Sequence, residues 1–183
     1  TRWLALTLLA FILVTLLPVL TWRWLPPPTS SVMLAEALTL GSHPDYHWVP
    51  LTQIAPEAAL AVVAAEDQKF PEHAGFDFAA IRAALRHNAA GGSLRGASTL
   101  TQQVAKNLFL WQGRSYLRKG LEAWFTALLE LTWPKRRILE VHLNIAEMGE
   151  GTFGVEAASR RFFGRSAVQL TRSQGALLAA VLP

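Results

Sequence analysis

Residues 56–70 read PEAALAVVAAEDQKF. An apolar run that opens on a proline and ends in charged residues predicts a helix, because proline suits the first helical turn. From Pro56 onward the apolar residues keep a helical period, and no clear run of alternating apolar and polar residues indicates a strand. About seven short helices are expected, so the fold class is predicted to be all-α.

Polar residues mark where several of these helices begin. Asp77 is a good N-cap for FAAIRAALRHN, and Ser98 or Thr99 precedes LTQQVAKNLFL. Thr171 with Gln174 has the spacing of a capping box for the last helix.

The composition excludes several classes of protein. With 51% apolar and 16% charged residues, the chain has enough material for a core and does not resemble a disordered tail. The lack of cysteine excludes a disulfide scaffold, a cysteine-ligated metal site and a thiol nucleophile. The sequence also lacks an HExxH zinc signature, a P-loop and a GxSxG nucleophile elbow.

Charge is distributed unevenly along the chain. Residues 26–85 contain two basic and seven acidic residues, whereas residues 86–137 contain nine basic and two acidic ones. The basic middle segment suggests an anionic partner, such as a phosphate, an anionic lipid or a nucleic acid. A solvated basic face explains the same charge equally well.

The N-terminal segment predicts a membrane anchor. Residues 3–22 carry no charge, end in tryptophan on both sides and are long enough to span a bilayer as a helix. A cleavable signal peptide is the alternative, but its apolar core is usually about 7–15 residues and a small-residue cleavage site follows it. TWRWLPPPTSS follows here, which favours an uncleaved anchor, and Arg2 weakly places the N-terminus in the cytoplasm.

Three regions are therefore expected. Residues 1–25 form the transmembrane anchor, residues 26–55 form a linker that leads into the domain, and residues 56–183 form a helical domain with a trimmed C-terminus. The PPPTSS stretch at residues 26–31 predicts a stiff linker away from the membrane. Residues 32–55 show no clear pattern.

The first polar cluster, EDQKFPEHAGFD, covers residues 66–77. The apolar helix runs straight into Glu66 and Asp67, and a carboxylate at such a helix end is partly desolvated, which suits general acid or base work. An ordinary helix end, in which Asp67 and His73 bond nearby backbone, is the alternative that composition alone favours. Asp77 fits a helix cap better than a catalyst.

The second cluster is STLTQQVAKN. Gln102 and Lys106 are four residues apart on one helical face, and so are Gln103 and Asn107. Beside a glycine-rich loop that carries Arg95, these groups suit sugar hydroxyls and phosphate. An exposed polar face is an equally good interpretation.

The third cluster contains Arg114 and the segment RKGLE. Arg118 and Lys119 stand four and three residues before Glu122, so both cations can meet its carboxylate on one helix. A surface ion pair, which is common and contributes little, is the alternative.

Taken together, these clusters resemble the peptidoglycan glycosyltransferases, glycosyltransferase family 51. Five segments are similar to the family's motifs and stand in the family's order: EDQKFPEHAGFD, RGASTLTQQVAKNLFL, RKGLEAWFTALLE, KRRILEVHLNIAEMGEG and GTFGVEAASRRFFG. The match covers about residues 56–183, and five motifs in order are highly specific where one alone is not. The short anchor and the wording NIAEMGEGTFGVEAAS resemble the monofunctional biosynthetic branch.

The chain departs from the family pattern at two positions. The second motif often has a Gly-Gly pair where this chain has Gly96 and Ala97, and the fourth often has tyrosine where this chain has His142. Neither residue is a proposed catalytic group, and His142 is expected to pack or hydrogen bond locally.

The resemblance implies a lysozyme-like helical domain that polymerises glycan chains. The lipid-linked growing chain is the donor, and lipid II is the acceptor. Glu66 would take the proton of the acceptor's 4-hydroxyl while undecaprenyl diphosphate leaves and a β-1,4 bond forms with inversion. Glu122, the second catalytic residue implied, and Lys119 would handle the diphosphate. The substrate-binding residues predicted from the motifs are Asp67, Phe70, His73, Arg95, Ser98, Thr99, Gln102, Gln103, Lys106, Asn107, Arg114, Arg118 and Lys119.

The resemblance also implies the surroundings of the protein. No cofactor is obligatory, and a divalent cation such as Mg²⁺ is allowed at Glu122. The expected partners are lipid II, the nascent glycan chain and the membrane, with cell-wall synthesis or division proteins as further candidates and no nucleic acid. The expected location is the bacterial inner membrane, as a single-pass protein with its catalytic domain on the periplasmic face.

Two other functions compete with this interpretation. A lytic, lysozyme-like enzyme also uses carboxylates in a helical fold, but glycan cleavage releases no phosphate and does not need the basic residues around Glu122. A membrane-anchored module that binds anionic ligands would use the basic segment, but it leaves Glu66 and Asp67 unexplained.

Overall fold

The computed structural model describes residues 2–41, 43–91, 96–113 and 115–182. Within these residues it contains nine α-helices, two 3₁₀ turns (Leu51–Gln53 and Ala167–Gln169) and a small sheet. The helices are α1 (Arg2–Trp24), α2 (Ser31–Leu40), α3 (Pro56–Glu66), α4 (Phe78–Ala89), α5 (Leu100–Phe109), α6 (Tyr116–Thr132), α7 (Lys135–Ile145), α8 (Val155–Phe163) and α9 (Arg172–Ala180). The predicted all-α fold with one N-terminal apolar helix is confirmed.

The predicted helix caps are present. The Asp77 carboxylate accepts a hydrogen bond from the Ala80 backbone N–H at 2.8 Å and so begins α4. Thr99, rather than Ser98, caps α5 in a capping box with the side chain of Gln102. Thr171 caps α9 in the same way with Gln174. Local polar residues therefore set these helix starts, as expected for groups that satisfy unpaired backbone donors.

A three-stranded sheet joins two distant parts of the chain. Its strands are β1 (Asp45–Tyr46), β2 (Glu147–Gly149) and β3 (Thr152–Phe153), in the order β1-β3-β2. β1 runs parallel to β3, and β2 runs antiparallel to it. Strands of two or three residues are too short to give an alternating pattern, which is why the sequence did not predict them.

Helix α2 was also missing from the sequence-based prediction. Ser30 caps it through a hydrogen bond from the Met33 backbone N–H at 3.2 Å. The hydroxyl of Ser31 donates to carbonyl oxygens at the end of α5, at 2.9 Å for Asn107 and 2.5 Å for Leu110. The segment expected to be a stiff linker away from the membrane thus leads directly into a helix that packs on the domain.

Helix α1 has the length and apolar composition to cross a membrane, and it packs on α6. The indole N–H of Trp133 donates to the Val19 carbonyl at 2.8 Å. The Arg137 guanidinium donates to the carbonyls of Trp22 and Leu25, at 2.8 and 2.6 Å for its Nη2. The Trp22 carbonyl is one that the helix end leaves unpaired, so the bonds from Arg137 fix the exit of the anchor against the domain.

Helix α5 lies at the centre of the core and packs on both α6 and α7. Its buried apolar residues are Leu100, Val104, Ala105 and Leu108. The Phe109 ring stacks on that of Phe125 in α6, with 4.5 Å between centroids. The remaining face of α5 presents Gln103 and Lys106 to a cleft.

Close packing of α9 on α3 fixes the helix that leads into this cleft. A Cβ atom at Gly175 in α9 would lie 2.8 Å from the Ala58 Cα in α3, so only glycine allows this approach. Burial of Ala58 and Val62 anchors the same helix in the core. The position of Glu66, the last residue of α3, is therefore set by backbone packing.

Candidate active site

A cleft of about 880 Å³ opens between the end of α3, the start of α4 and the polar face of α5. Its lining includes Glu66, Lys69, Ser98, Gln103 and Lys106. Acidic, basic and amide side chains thus converge on one concave surface, which is the usual character of a site for a polar ligand.

Glu66 is held on the wall of the cleft by a neutral partner. The Gln103 side-chain amide donates to Glu66 Oε2 at 2.8 Å, and the other end of that amide lies 3.0 Å from His142 Nε2. Glu66 is half-buried, and within the described residues no cation contacts its carboxylate. The carboxylate is therefore oriented without being neutralised.

The adjacent carboxylate, Asp67, has a different environment. Both of its oxygens lie within 3.0 Å of His73 Nε2, and Oδ2 also accepts the Leu100 backbone N–H at 3.0 Å. His73 Nδ1 accepts the Gly75 N–H at 3.1 Å, so the ring proton sits on Nε2 and points at Asp67. Asp67 and His73 tie the loop after α3 to the start of α5.

A cluster of charges lies near Lys106, which lines the cleft. Glu122 in α6 is buried, and its carboxylate contacts Arg118 Nη1 at 2.8 Å and the Lys119 ammonium. Burial lowers the pKa of Lys106 from its ordinary value, Glu122 opposes that effect, and Arg118 and Lys119 add to it. Three cations therefore gather around one buried carboxylate, and Lys106 connects the cluster to the cleft.

The remaining predicted substrate-binding residues have varied positions. Phe70 is buried in the core beneath the Lys135 ammonium, which lies 4.5 Å from the ring centroid. Thr99 and Gln102 are buried in the capping box of α5, and Asn107 is half-buried on that helix. Of this group, Ser98 is exposed and Thr99 joins it in the cleft lining.

Arg95 and Arg114 lie outside the described residues.

Two residues of the site were not among those predicted. Lys69 lines the cleft three residues after Glu66, and its signal was its place inside the first motif. His142 meets Gln103 across 39 positions of sequence, and its only signal was the departure from tyrosine.

The residues present do not suit a divalent cation at Glu122. Both carboxylate oxygens already contact cationic side chains, and a third ammonium lies nearby. Mg²⁺ prefers oxygen ligands in an octahedral arrangement. Across residues 2–41, 43–91, 96–113 and 115–182, no group of three or more His, Cys, Asp or Glu residues has the geometry to hold a metal ion.

Comparison with known proteins decides the family. A family model described as Transglycosylase matches residues 33–183, which is most of the chain. This chain belongs to the transglycosylase family. The match includes β1 and all but the first two residues of α2, so it extends to the segment before residue 56.

Individual relatives agree with the family match. A biosynthetic peptidoglycan transglycosylase of Pseudomonas fluorescens Pf-5 is 57% identical over 181 residues, which are 96% of this chain and 75% of the relative. A protein with the same description from Stutzerimonas stutzeri A1501 is 58% identical, with the same coverage. Another, from Xanthomonas campestris B100, is 52% identical over 188 residues, which are 100% of this chain and 76% of the relative. The recognition of a peptidoglycan glycosyltransferase from the five motifs is confirmed, and so is the expectation of an enzyme.

Proposed function

We propose that this transglycosylase polymerises glycan chains by transferring a lipid-linked glycan onto the 4-hydroxyl of lipid II. The acceptor oxygen forms a bond to the anomeric carbon of the donor as the bond from that carbon to the diphosphate breaks. The hydroxyl proton passes to Glu66, and undecaprenyl diphosphate leaves. Attack opposite the leaving group gives a β-1,4 linkage with inversion.

The observation that carries this proposal is the placement of Glu66 on the cleft wall with a neutral hydrogen-bond donor. The Gln103 amide occupies Oε2 at 2.8 Å, while no group among the described residues hydrogen bonds to Oε1, which remains for a substrate hydroxyl. A hydroxyl is a weak nucleophile, so a positioned base accelerates its attack by about 10²–10⁴-fold. Glu66 is the carboxylate of the cleft that fits this work, because Asp67 is already engaged by His73 and Leu100.

The cations around Glu122 suit the leaving diphosphate. Negative charge develops on the diphosphate as its bond to the sugar breaks, and fixed cations stabilise that charge. Lys106 lines the cleft, and Lys119, which is half exposed, is close enough to Lys106 to lower its pKa. Glu122 takes part by holding Arg118 and Lys119 in place, and the reaction as proposed routes no step through a metal ion.

The proposed location follows from α1 and its contacts. We place the protein in the bacterial inner membrane with the helical domain on the periplasmic face, because Arg2 precedes the apolar helix and the domain packs on its C-terminal half. A substrate whose lipid tail stays in the bilayer then meets an enzyme tethered to the same surface, which raises their effective concentration. Cell-wall synthesis or division proteins are proposed as partners on the resemblance alone.

A single assay tests the proposal. Purified full-length protein is incubated in detergent with lipid II, and the products are separated on a gel beside the same protein incubated with preformed glycan strands. We expect lipid II to be converted to long glycan chains and the strands to stay intact. Shortened strands with no polymer from lipid II would show a lytic enzyme instead.

A further inference from the structure

A continuous hydrogen-bonded chain runs from the core to the cleft. His142 lies in the last turn of α7 and is 1% exposed, and its Nε2 is 3.0 Å from the Gln103 side-chain oxygen. The Gln103 amide nitrogen is 2.8 Å from Glu66 Oε2. Three helices, α7, α5 and α3, therefore each contribute one side chain to a single line of contacts.

The charge of Glu66 fixes the direction of every bond in this chain. An ionised carboxylate only accepts hydrogen bonds, so the NH₂ group of Gln103 must face it and the amide oxygen must face His142. That oxygen is also an acceptor, so His142 must carry its proton on Nε2. His142 Nδ1 is then an acceptor, and it has no hydrogen-bond partner within the described residues.

The neutral form of His142 is the one that the surroundings favour. Burial lowers the pKa of His142 to about 4, and the positive charge of Lys106 adds to the effect. A flipped Gln103 amide would place two acceptors together at the Glu66 end and two donors together at the His142 end. Only one orientation of the amide satisfies both neighbours.

We propose that His142 is a positioning residue of the reaction, which holds the Gln103 amide so that its NH₂ group fixes Glu66 Oε2 and leaves Oε1 for the acceptor hydroxyl. This inference rests on the proposed role of Glu66 as the base. A neutral donor suits that role, because an ammonium or guanidinium at the same place would favour an ionised carboxylate and oppose proton uptake. Without the His142 donor, the amide would lose the contact that selects its orientation.

The test compares four variants of the full-length protein in the lipid II assay. H142F removes the donor and keeps a ring in the core, whereas H142Q keeps an N–H donor. We expect H142F to lower kcat by roughly 10- to 100-fold with KM unchanged, as for residues that orient a reacting group, and H142Q to recover most of the loss. T101V is the matched control, since Thr101 is equally buried on α5 but donates to Glu130 instead, at 2.5 Å. E66Q completes the set.

The outcomes separate this inference from the proposed function. An inactive E66Q with H142F as active as the wild type overturns the role of His142 and leaves Glu66 as the base. An active E66Q overturns both. Equal loss in H142F and T101V would mean that core packing alone is responsible, which also overturns the positioning role.

A spectroscopic measurement keeps the inference testable if H142F does not fold. The ¹⁵N resonances of the wild-type imidazoles report which ring nitrogen carries the proton, and the chain has five histidines, so the signal missing in H142Q identifies His142. We expect a neutral ring protonated on Nε2. A ring protonated on Nδ1 at neutral pH would overturn the inference.

Discussion

Glu66 and Glu122 are the two carboxylates that we propose to serve the reaction, and their surroundings differ in kind. Glu66 ends α3, is half-buried on the cleft wall and receives a hydrogen bond from the neutral amide of Gln103 at 2.8 Å. Glu122 lies within α6 with 3% of its side chain exposed, and it contacts the guanidinium of Arg118 and the ammonium of Lys119. A carboxylate with a neutral partner keeps an oxygen for a proton, whereas one paired with two cations holds those cations in place.

In the proposed mechanism, position and partners, rather than residue type, therefore distinguish the two carboxylates. Taking a charge out of water is costly, so the buried ion pair of Glu122 is stable only while both partners are present. Glu66 is partly in contact with solvent and does not require them. Changes at Glu66 should therefore affect chemistry alone, while changes at Glu122 should affect both chemistry and folding.

The largest effect is expected for E66Q. The substitution removes the base and keeps a side chain that accepts from Gln103, so polymerisation of lipid II should fall by about 10²–10⁴-fold. The midpoint of thermal unfolding should stay near that of the wild type. E72Q is the matched control, because Glu72 is an exposed carboxylate six residues away that does not line the cleft. Turnover of E66Q equal to that of E72Q would contradict the assignment.

The second prediction concerns E122Q. The substitution leaves the guanidinium of Arg118, whose side chain is 12% exposed, without its counter-charge. Removing one partner of a buried ion pair typically costs about 3–5 kcal/mol of the free energy of unfolding. We expect a loss of that order in urea unfolding together with a loss of polymerisation.

A double variant sharpens this prediction. Replacing both charges, as in R118M with E122L, removes the stranded cation, and well-packed apolar substitutes for a buried pair are often neutral. The double variant should recover stability relative to E122Q without recovering activity. Recovery of activity as well would show that Arg118 and Glu122 have no part in the reaction.

The third prediction concerns the pH dependence of stability that His142, the residue behind Gln103 and Glu66, should cause. Burial lowers the pKa of His142 from 6.5 to about 4, so between those values the unfolded chain binds a proton that the folded chain does not. Titration of His142 therefore leaves the free energy of unfolding unchanged above about pH 6.5 and lowers it as the pH falls from 6.5 toward 4. A shift of one pKa unit corresponds to about 1.36 kcal/mol, so the loss in the free energy of unfolding is on the order of 3 kcal/mol.

Other groups titrate in the same pH range, so the effect of His142 is measured as a difference between the wild type and a variant that lacks it. Free energies of unfolding are compared for the wild type and H142Q at pH 7 and at pH 4.5. The wild type should lose more stability than H142Q over that interval. Equal losses would mean that His142 is not held in its neutral form by the fold.

Much of the domain could be predicted from the sequence because local chemistry determines it. The caps at Asp77, Thr99 and Thr171 depend on side chains within three residues of the helix start, and the structure confirms all three. Helix α2 and the short strands could not be predicted, since they depend on contacts such as that of Ser31 with the end of α5.

The candidate site divides in the same way. The pairing of Glu122 with Arg118 and Lys119 follows from their spacing on one helix, which the sequence shows directly. The link from Glu66 through Gln103 to His142 joins three helices, and no spacing rule predicts it. Whether the predicted substrate-binding residues contact substrate stays a prediction.

The smallest effect on folding is expected for K119A, and it tests the cation cluster most directly. The Lys119 side chain is 51% exposed, and Arg118 remains as a partner for Glu122, so stability should change by less than about 1 kcal/mol.

The matched control is R160A, because Arg160 is also an exposed cation, 63% accessible, paired with a carboxylate that is 5% exposed, Glu156. Both variants remove an exposed charge from a buried carboxylate on the same helix. Glu122 keeps Arg118 as a cationic partner, whereas Glu156 keeps the Ala167 backbone N–H at 2.6 Å, so R160A should lower the melting temperature at least as much as K119A. Only Lys119 belongs to the cation cluster around Glu122, so K119A alone should lower kcat, by about tenfold, which is less than the loss of a preorganised donor because the ammonium is half exposed. K119R, which keeps the charge, should recover part of that loss. Equal activity of K119A and R160A would place the Lys119 pair with ordinary surface ion pairs and would leave Lys106 as the cation that the cleft presents to the leaving group.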